Sequence, residues 1–250
     1  MLSRRSFLGL LAAGTGCAAA GPAGPPARGR IRAVAFDGFP ILDPRPVFGR
    51  AGEVVGPERA ERFVALWRAR LFEYQWLRAL GGRYADFLSV NRDALGFAGR
   101  ALELELSGAQ IEALTAGFLR LTAWPDARPT LEALREAGIA TAFLSNMTPA
   151  MLEGGIENAG LAGLFDHVLS TDAIRTYKPA PAAYQLGLDA LGLPRGEVAF
   201  AAFAGWDAAG ARWFGYPTVW VNRLGAPAEG LGADQLTVCP DLSGVLSFVS

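Results

Sequence analysis

The chain of 250 residues contains one histidine (His167), two cysteines (Cys17 and Cys239) and one lysine (Lys178). A zinc site normally draws three or four ligands from His and Cys, so this inventory excludes one. Every Ser-His-Asp triad would have to pass through His167, which leaves that chemistry little room. Neither sign of charge dominates: 23 basic residues face 24 acidic ones, a formal net charge of −1. Without a basic stripe there is no electrostatic footprint for a phosphate backbone, and a nucleic-acid partner is excluded. Apolar runs are too short to cross a bilayer as a helix, so no membrane span is expected. With 51% hydrophobic and 19% charged residues the chain is globular. Its chemistry falls to Asp, Glu, Lys, Arg, Ser and Asn. All basic residues but Lys178 are arginine, which singles out that position for a task needing a compact ammonium rather than a planar guanidinium.

The first residues read as an address. Arg4-Arg5, a short apolar run from Leu10 to Ala13 and small residues up to Ala20 make a secretory signal of the twin-arginine type. Export to the periplasm is the expectation, with a lipid anchor at Cys17 as the alternative. Gly- and Pro-rich residues 21–30 form a flexible spacer, so residues 1–30 stand outside the folded unit.

Ile31 to Phe36 is an apolar run ending in Asp37 and is expected to be a buried strand, followed by a Pro-rich turn from Phe39 to Pro46. Helical periodicity alone then runs through three segments near 57–80, 84–100 and 107–122, the first with a stripe of Phe63, Trp67, Leu71, Tyr74 and Leu77. From 124 onward helices (129–137, 180–191, 206–214) alternate with strands (Ala140–Leu144, His167–Ser170, Val198–Phe203, Thr218–Val221), and Thr148 caps a further helix. This pattern predicts an α/β fold: a Rossmann-like parallel sheet core from residues 31–46 plus 124–250, with an inserted all-helical cap over 47–123.

In such sheets functional groups gather beyond the carboxyl ends of the strands. Four strand ends carry polar groups: Asp37, Ser145-Asn146, Lys178 and Asp207. Each alone reads as a cap or surface ion pair. Together they place two carboxylates, an ammonium and a hydroxyl–amide pair around one crevice.

These residues resemble the ordered motifs of the haloacid dehalogenase superfamily: Ala-Phe-Asp37, Leu-Ser145-Asn146, Tyr-Lys178-Pro and Trp206-Asp207-Ala-Ala-Gly-Ala. Leu-Trp67-Arg68, Glu73-Tyr74-Gln-Trp76-Leu-Arg and Gly-Ala-Arg212-Trp-Phe-Gly-Tyr-Pro-Thr resemble its L-2-haloacid dehalogenase branch, over about residues 31–225. The resemblance implies hydrolysis of short (S)-2-haloacids to 2-hydroxy acids through an aspartyl ester, without a cofactor. Asp37 would be the nucleophile, kept ionised and oriented by Lys178. Arg68 would receive the halide, while Phe39, Phe72, Phe87 and Trp206 exclude water. Ser145 and backbone N–H groups after Asp37 would hold the substrate carboxylate, and Asn146, Tyr184 and Asp207 would complete the polar shell, with Asp207 orienting Lys178 and the hydrolytic water. The magnesium phosphatases of the same superfamily carry acids where this chain has Phe39 and Phe203, so no metal is expected. A second copy of the chain is a candidate partner.

The chain departs from the branch pattern at four positions. After the nucleophile it reads Phe39-Pro40-Ile41-Leu42 where the family has aromatic-Gly-Thr-Leu, and Ala202 and Ala204 replace Ser and Asn. Each lost hydrogen bond to a charged group is worth about 1.5–3 kcal/mol, and about 1.4 kcal/mol is a factor of ten in rate. Two readings follow: a weakened dehalogenase, or a catalytically degraded member that binds small carboxylates.

Overall fold

The computed structural model describes residues 30–233 and 236–250; the twin-arginine segment, its Cys17 and nearly all of the spacer lie outside the described residues. Six parallel strands form one sheet in the order β5-β4-β1-β6-β7-β8: β1 (Ala33–Phe36), β4 (Ala140–Ser145), β5 (His167–Ser170), β6 (Val198–Ala202), β7 (Thr218–Val221) and β8 (Thr237–Cys239). The central strands β1 and β6 are buried throughout, which is why they read as continuous apolar runs rather than alternating ones. Register is set by pairs such as Phe36 with Phe143 and Phe36 with Ala201, so the ends of β1, β4 and β6 finish side by side. The folded unit has the layered α/β architecture expected of strand–helix alternation.

Two departures from expectation frame the site. The stretch after Asp37 is not an open turn. Gly38–Ile41 is a single helical turn (α1), followed by a two-residue strand β2 (Leu42–Asp43) and a short helix α2 (Arg45–Gly49). The Asp37 side chain itself caps α1, accepting from the Phe39 N–H, a local bond that competes with a loop conformation. Strand β2 pairs antiparallel with β3 (Thr122–Ala123), so the chain enters and leaves the helical cap through one small two-stranded gate.

The cap contains α3 (Ala51–Val55), α4 (Pro57–Leu80), α5 (Phe87–Ala101) and α6 (Gly108–Ala116). Helix α4 starts on Pro57, whose missing N–H costs nothing at a helix start. Its buried residues are Phe63, Trp67, Leu71 and Gln75. Leu77, expected inside, is 56% exposed, whereas Gln75 is fully buried. A strict four-residue spacing carries the stripe onto Gln75, whose amide oxygen accepts from Asn146 while its buried Nε2 has no hydrogen-bond partner among the described residues. Trp67 donates through Nε1 to Asn91 Oδ1 (2.8 Å) and Asn91 Nδ2 donates to Thr115 Oγ1 (3.0 Å), linking α4, α5 and α6 inside the cap. Helix α6 carries a reciprocal capping box between Ser107 and Gln110.

The core's outer layers are α7 (Ala127–Glu136), α8 (Pro149–Asn158), α9 (Pro181–Leu191), α10 (Gly205–Phe214) and α11 (Ser243–Val249). Thr148 caps α8 as expected, accepting from Met151 N–H at 3.3 Å. Strand β8 and helix α11 have no counterpart in the sequence expectation. Helix α8 presses so closely on the cap's exit that a Cβ at Gly154 would lie 2.4 Å from the Leu119 backbone oxygen. Gly154→Ala should therefore lower unfolding stability by about 1–3 kcal/mol, even though alanine is the better helix former. Urea denaturation checks this; an unchanged or raised midpoint contradicts the packing.

Candidate active site

Strand β1 delivers Asp37 and β4 delivers Ser145 to the same edge, because Phe36 and Phe143 share a register. Lys178 arrives on the segment between β5 and α9, and Asp207 on the first turn of α10 after β6. The four strand ends read from the sequence thus converge. Lys178 Nζ donates to Asp37 Oδ1 at 2.8 Å and to Asp207 Oδ2 at 2.6 Å. Tyr184 donates its hydroxyl to Asp207 Oδ1 at 2.7 Å. Lys178 and Asp207 are buried almost completely, while Asp37 retains a small exposed surface.

Three opposing contributions fix the charges. Burial works to lower the Lys178 pKa, but the charges of Asp207 and Asp37 and their hydrogen bonds outweigh it and hold the ammonium above its ordinary value. For Asp207, burial is the largest influence and pushes the carboxyl up to about 6, against the lowering effect of Lys178, with the Asp37 charge adding to the rise. Burial first, then the Asp207 charge, raises the Tyr184 hydroxyl well above the tyrosine norm, so it serves as a neutral donor.

Over this group lies a cavity of about 330 Å³ between the sheet edge and the cap. Asp37, Ser145, Asn146 and Arg68 supply much of its polar wall, and Phe39, Phe72, Phe87 and Trp206 supply aromatic surface. Every candidate named from the sequence except three therefore faces the cavity. Lys178, Asp207 and Tyr184 lie behind it. Both oxygens of Asp207 are committed to Lys178 and Tyr184, so this carboxylate orients the lysine and has no surface toward a water in the cavity.

Ser145 Oγ accepts from the Met147 N–H at 3.2 Å, which leaves its own hydroxyl proton to be directed elsewhere. Of the backbone donors expected after Asp37, Phe39 N–H is spent on Asp37 Oδ2 at 3.3 Å, and Pro40 has none. Among the described residues Asp37 accepts only from Lys178 and Phe39. Ile41 and Ala202 are buried without a polar group near that carboxylate, and Ala204 lines the cavity with a methyl. A Cβ at residue 38 would stand 2.8 Å from Met147 Cε and 2.9 Å from Ser145 Oγ, so any larger residue there would displace both side chains.

Arg68 reaches the cavity from α4, its guanidinium 5.2 Å from the Phe48 ring centre. Partial burial lowers its pKa, and no acidic partner for it is found among the described residues. Phe39 and Phe203 meet edge to face at 5.8 Å where a magnesium-dependent relative would carry acids. No cluster of three or more His, Cys, Asp or Glu side chains suited to a metal occurs among the described residues.

Several supporting residues escaped sequence reasoning. Gln75 Oε1 accepts from Asn146 Nδ2 at 3.1 Å, and Asn146 Oδ1 accepts from the Lys178 N–H at 2.9 Å and from Thr171 Oγ1 at 3.2 Å. The four-residue spacing from Phe63 was the signal that would have found Gln75. Trp76 Nε1 donates to the Lys178 carbonyl at 3.2 Å. On the opposite flank, Arg223 donates to the Pro40 carbonyl (2.8 Å) and to Asp126 (2.8 Å), and Trp124 Nε1 donates to the Phe39 carbonyl (2.9 Å). These bonds brace the helical turn that follows the nucleophile candidate, and no local motif announces them.

The Asp207 carboxyl should titrate near pH 6, anionic above and protonated below. Tyr184→Phe removes a donor that favours the carboxylate, so the inflection should move to higher pH. Carboxyl ¹³C chemical shifts across pH 4–9 read this directly; an unmoved or lowered inflection contradicts the assigned role of Tyr184.

The family model "haloacid dehalogenase-like hydrolase" matches residues 41–215. The (S)-2-haloacid dehalogenase of Pseudomonas sp. (strain YL) is 40% identical over 203 residues, covering 81% of this chain and 87% of the relative. The crystal structure of the L-2-haloacid dehalogenase RSc1362 superposes with a TM-score of 0.84 at 41% identity, over 88% of this chain and 99% of the other. That of the L-2-haloacid dehalogenase from Xanthobacter autotrophicus with chloropropionic acid covalently bound gives 0.79 at 35% identity, over 88% and 98%. With the family model matched over residues 41–215 and a relative 40% identical over 81% of this chain, the chain belongs to the haloacid dehalogenase-like hydrolases.

Proposed function

We propose that the protein hydrolyses (S)-2-haloacids to 2-hydroxy acids. The observation that carries this reading is Asp37, held by Lys178 at the floor of an apolar cavity that also receives the cationic Arg68. An Asp37 Oδ attacks C2 of the substrate in line, the carbon–halogen bond breaks, and halide leaves with its electron pair toward Arg68. Water then attacks the Asp37 carboxyl carbon of the ester; as the bond from that carbon to the substrate oxygen breaks, one water proton passes to the departing alkoxide and the other to solvent, which returns the carboxylate and releases the hydroxy acid with C2 inverted. Splitting one displacement into two is what covalent catalysis provides. The covalently bound chloropropionic acid in the Xanthobacter autotrophicus relative supports an ester intermediate here.

Residue roles follow from placement. Lys178 aims Asp37, Asp207 and Tyr184 hold Lys178, and Asn146, itself held by Gln75, accepts from the lysine's backbone N–H. Ser145 binds the substrate carboxylate. Phe39, Phe72, Phe87 and Trp206 keep water from the attacking carboxylate, which strengthens its charge interactions. The paucity of donors on Asp37 supports a slower enzyme, and it also gives the second reading its footing: a degraded member that binds small carboxylates.

Halide release from purified protein with a panel of short (S)-2-haloacids separates the two. Turnover abolished by Asp37→Asn is the expected result. Installing Thr at 41, Ser at 202 and Asn at 204 together should raise the rate by at least tenfold, because preorganised donors at the reacting carboxylate are a large catalytic contribution. Carboxylate binding without halide release in either protein would favour the binding reading.

A further inference from the structure

The cavity is larger and more aromatic than a short acid requires. At about 330 Å³ it falls within the range of roughly 300–1,000 Å³ typical of pockets for drug-sized ligands, whereas a 2-halopropionate consists of only a few non-hydrogen atoms. The surplus has a defined origin. Groups suited to the reaction come from strand ends of the core: Asp37, Ser145 and Asn146. Beyond them the wall is built by Pro44 and Phe48 at the cap entrance, by Ala65 and Ala69 on α4, and by Leu224 and Ala226 after β7.

Ala65 and Ala69 flank Arg68 at i−3 and i+1 on a helix whose other cavity-facing residues, Leu71 and Phe72, are large. Ala65, Arg68 and Ala69 are all solvent-exposed, so the two methyls leave apolar space at the cavity mouth that a larger helix former such as Leu would occupy. Aromatic surface surrounds that space: Phe72 lies 5.5 Å from Trp206, and Phe39 lies 5.8 Å from Phe203. Rings arranged edge to face offer favourable contact to another ring. Charge narrows the choice further. Among the described residues Arg68 is the one cation on the cavity wall, and Asp37 and Glu229 are both acidic; with Arg68 receiving the halide and Ser145 the substrate carboxylate, the wall holds no basic group for a second carboxylate.

We propose that the site favours monocarboxylic 2-halo acids whose C2 carries a bulky apolar, aromatic substituent, such as a benzyl group, lodged against Ala65, Ala69 and Phe48. This deepens the dehalogenase reading and rests on it for turnover, though not for binding. Short acids also fit, but they leave the outer aromatic and methyl wall uncovered. Ala69 then determines specificity: filling its space removes room for the ring without touching Asp37, Lys178 or Ser145.

Two unreactive carboxylates, propanoate and 3-phenylpropanoate, test the binding claim by calorimetry on the full chain. Halide release from (S)-2-bromopropanoate and (S)-2-bromo-3-phenylpropanoate is measured in parallel. The expected result is at least tenfold tighter binding of 3-phenylpropanoate, reduced at least tenfold in Ala69→Leu while propanoate binding changes less than twofold. Should that variant fail to fold, Ala65→Leu serves the same purpose. Equal or weaker binding of the phenyl compound overturns the proposal. So does a preference that survives both variants, since the ring would then lie elsewhere. Tight, variant-sensitive binding of the phenyl compound without halide release from either bromo acid supports this inference and overturns the dehalogenase reading instead.

Discussion

A buried ammonium between two carboxylates is the constraint on which the rest of the structure depends. Lys178 is the chain's only lysine and is fully buried, 2.8 Å from Asp37 and 2.6 Å from Asp207. Removing one member of such a group strands an uncompensated charge, typically at a cost of about 3–5 kcal/mol. Each of the three charges comes from a different segment of the core, Asp37 after β1, Lys178 after β5 and Asp207 after β6, so their meeting depends on the register that joins β5, β4, β1 and β6. An arginine could not substitute: its planar fork would not place a single compact donor between two oxygens from different segments. The sequence's near-exclusive use of arginine elsewhere shows how specific this demand is.

The cap is tied to that cluster from one side. Gln75 reaches Asn146, Trp76 reaches the Lys178 carbonyl, Tyr177 donates to the Ala85 carbonyl at 2.7 Å, and Tyr84 donates to Asp172 at 2.5 Å. Helix α4 thus anchors to the lysine segment through its C-terminal half and presents Arg68 to the cavity through its middle. One helix positions both Arg68 at the cavity and the backbone of Lys178, whose ammonium donates to Asp37. A change in cap packing therefore bears on Asp37 through two routes. On the other flank the Arg223–Pro40 and Trp124–Phe39 bonds hold the α1 turn to the exit of the cap and the loop after β7.

Much of this was legible in the amino-acid order, for physical reasons. Continuous apolar runs specify buried parallel strands, and strand ends carrying Asp37, Ser145-Asn146 and Asp207 specify where chemistry gathers. The four-residue spacing from Phe63 carried a signal for Gln75, but a polar residue on an amphipathic helix is read as solvent-facing unless its distant partner Asn146 is known. Leu77 was misplaced because the buried stripe of α4 follows the four-residue spacing through Phe63, Trp67, Leu71 and Gln75, which leaves Leu77 56% exposed. The α1 turn was hidden behind Pro40, which reads as a loop signal yet fits early in a helical turn. Strand β8 and helix α11 follow a Gly- and Pro-rich stretch and are too short for periodicity to register. Long-range bonds such as Arg223 to Pro40 join residues far apart in the chain, and no local pattern encodes them.

The central claim is that Asp37 itself forms the bond to the substrate. Single-turnover hydrolysis of a 2-haloacid in H₂¹⁸O, with protein in excess and mass analysis of the peptide containing Asp37, tests it most directly. Water attacking the ester at the aspartyl carbonyl carbon places the label in the Asp37 carboxylate, and the first hydroxy acid released carries ¹⁶O. Label found in the hydroxy acid from the first turnover, with none in Asp37, would mean that water displaces the halide directly and would contradict the account.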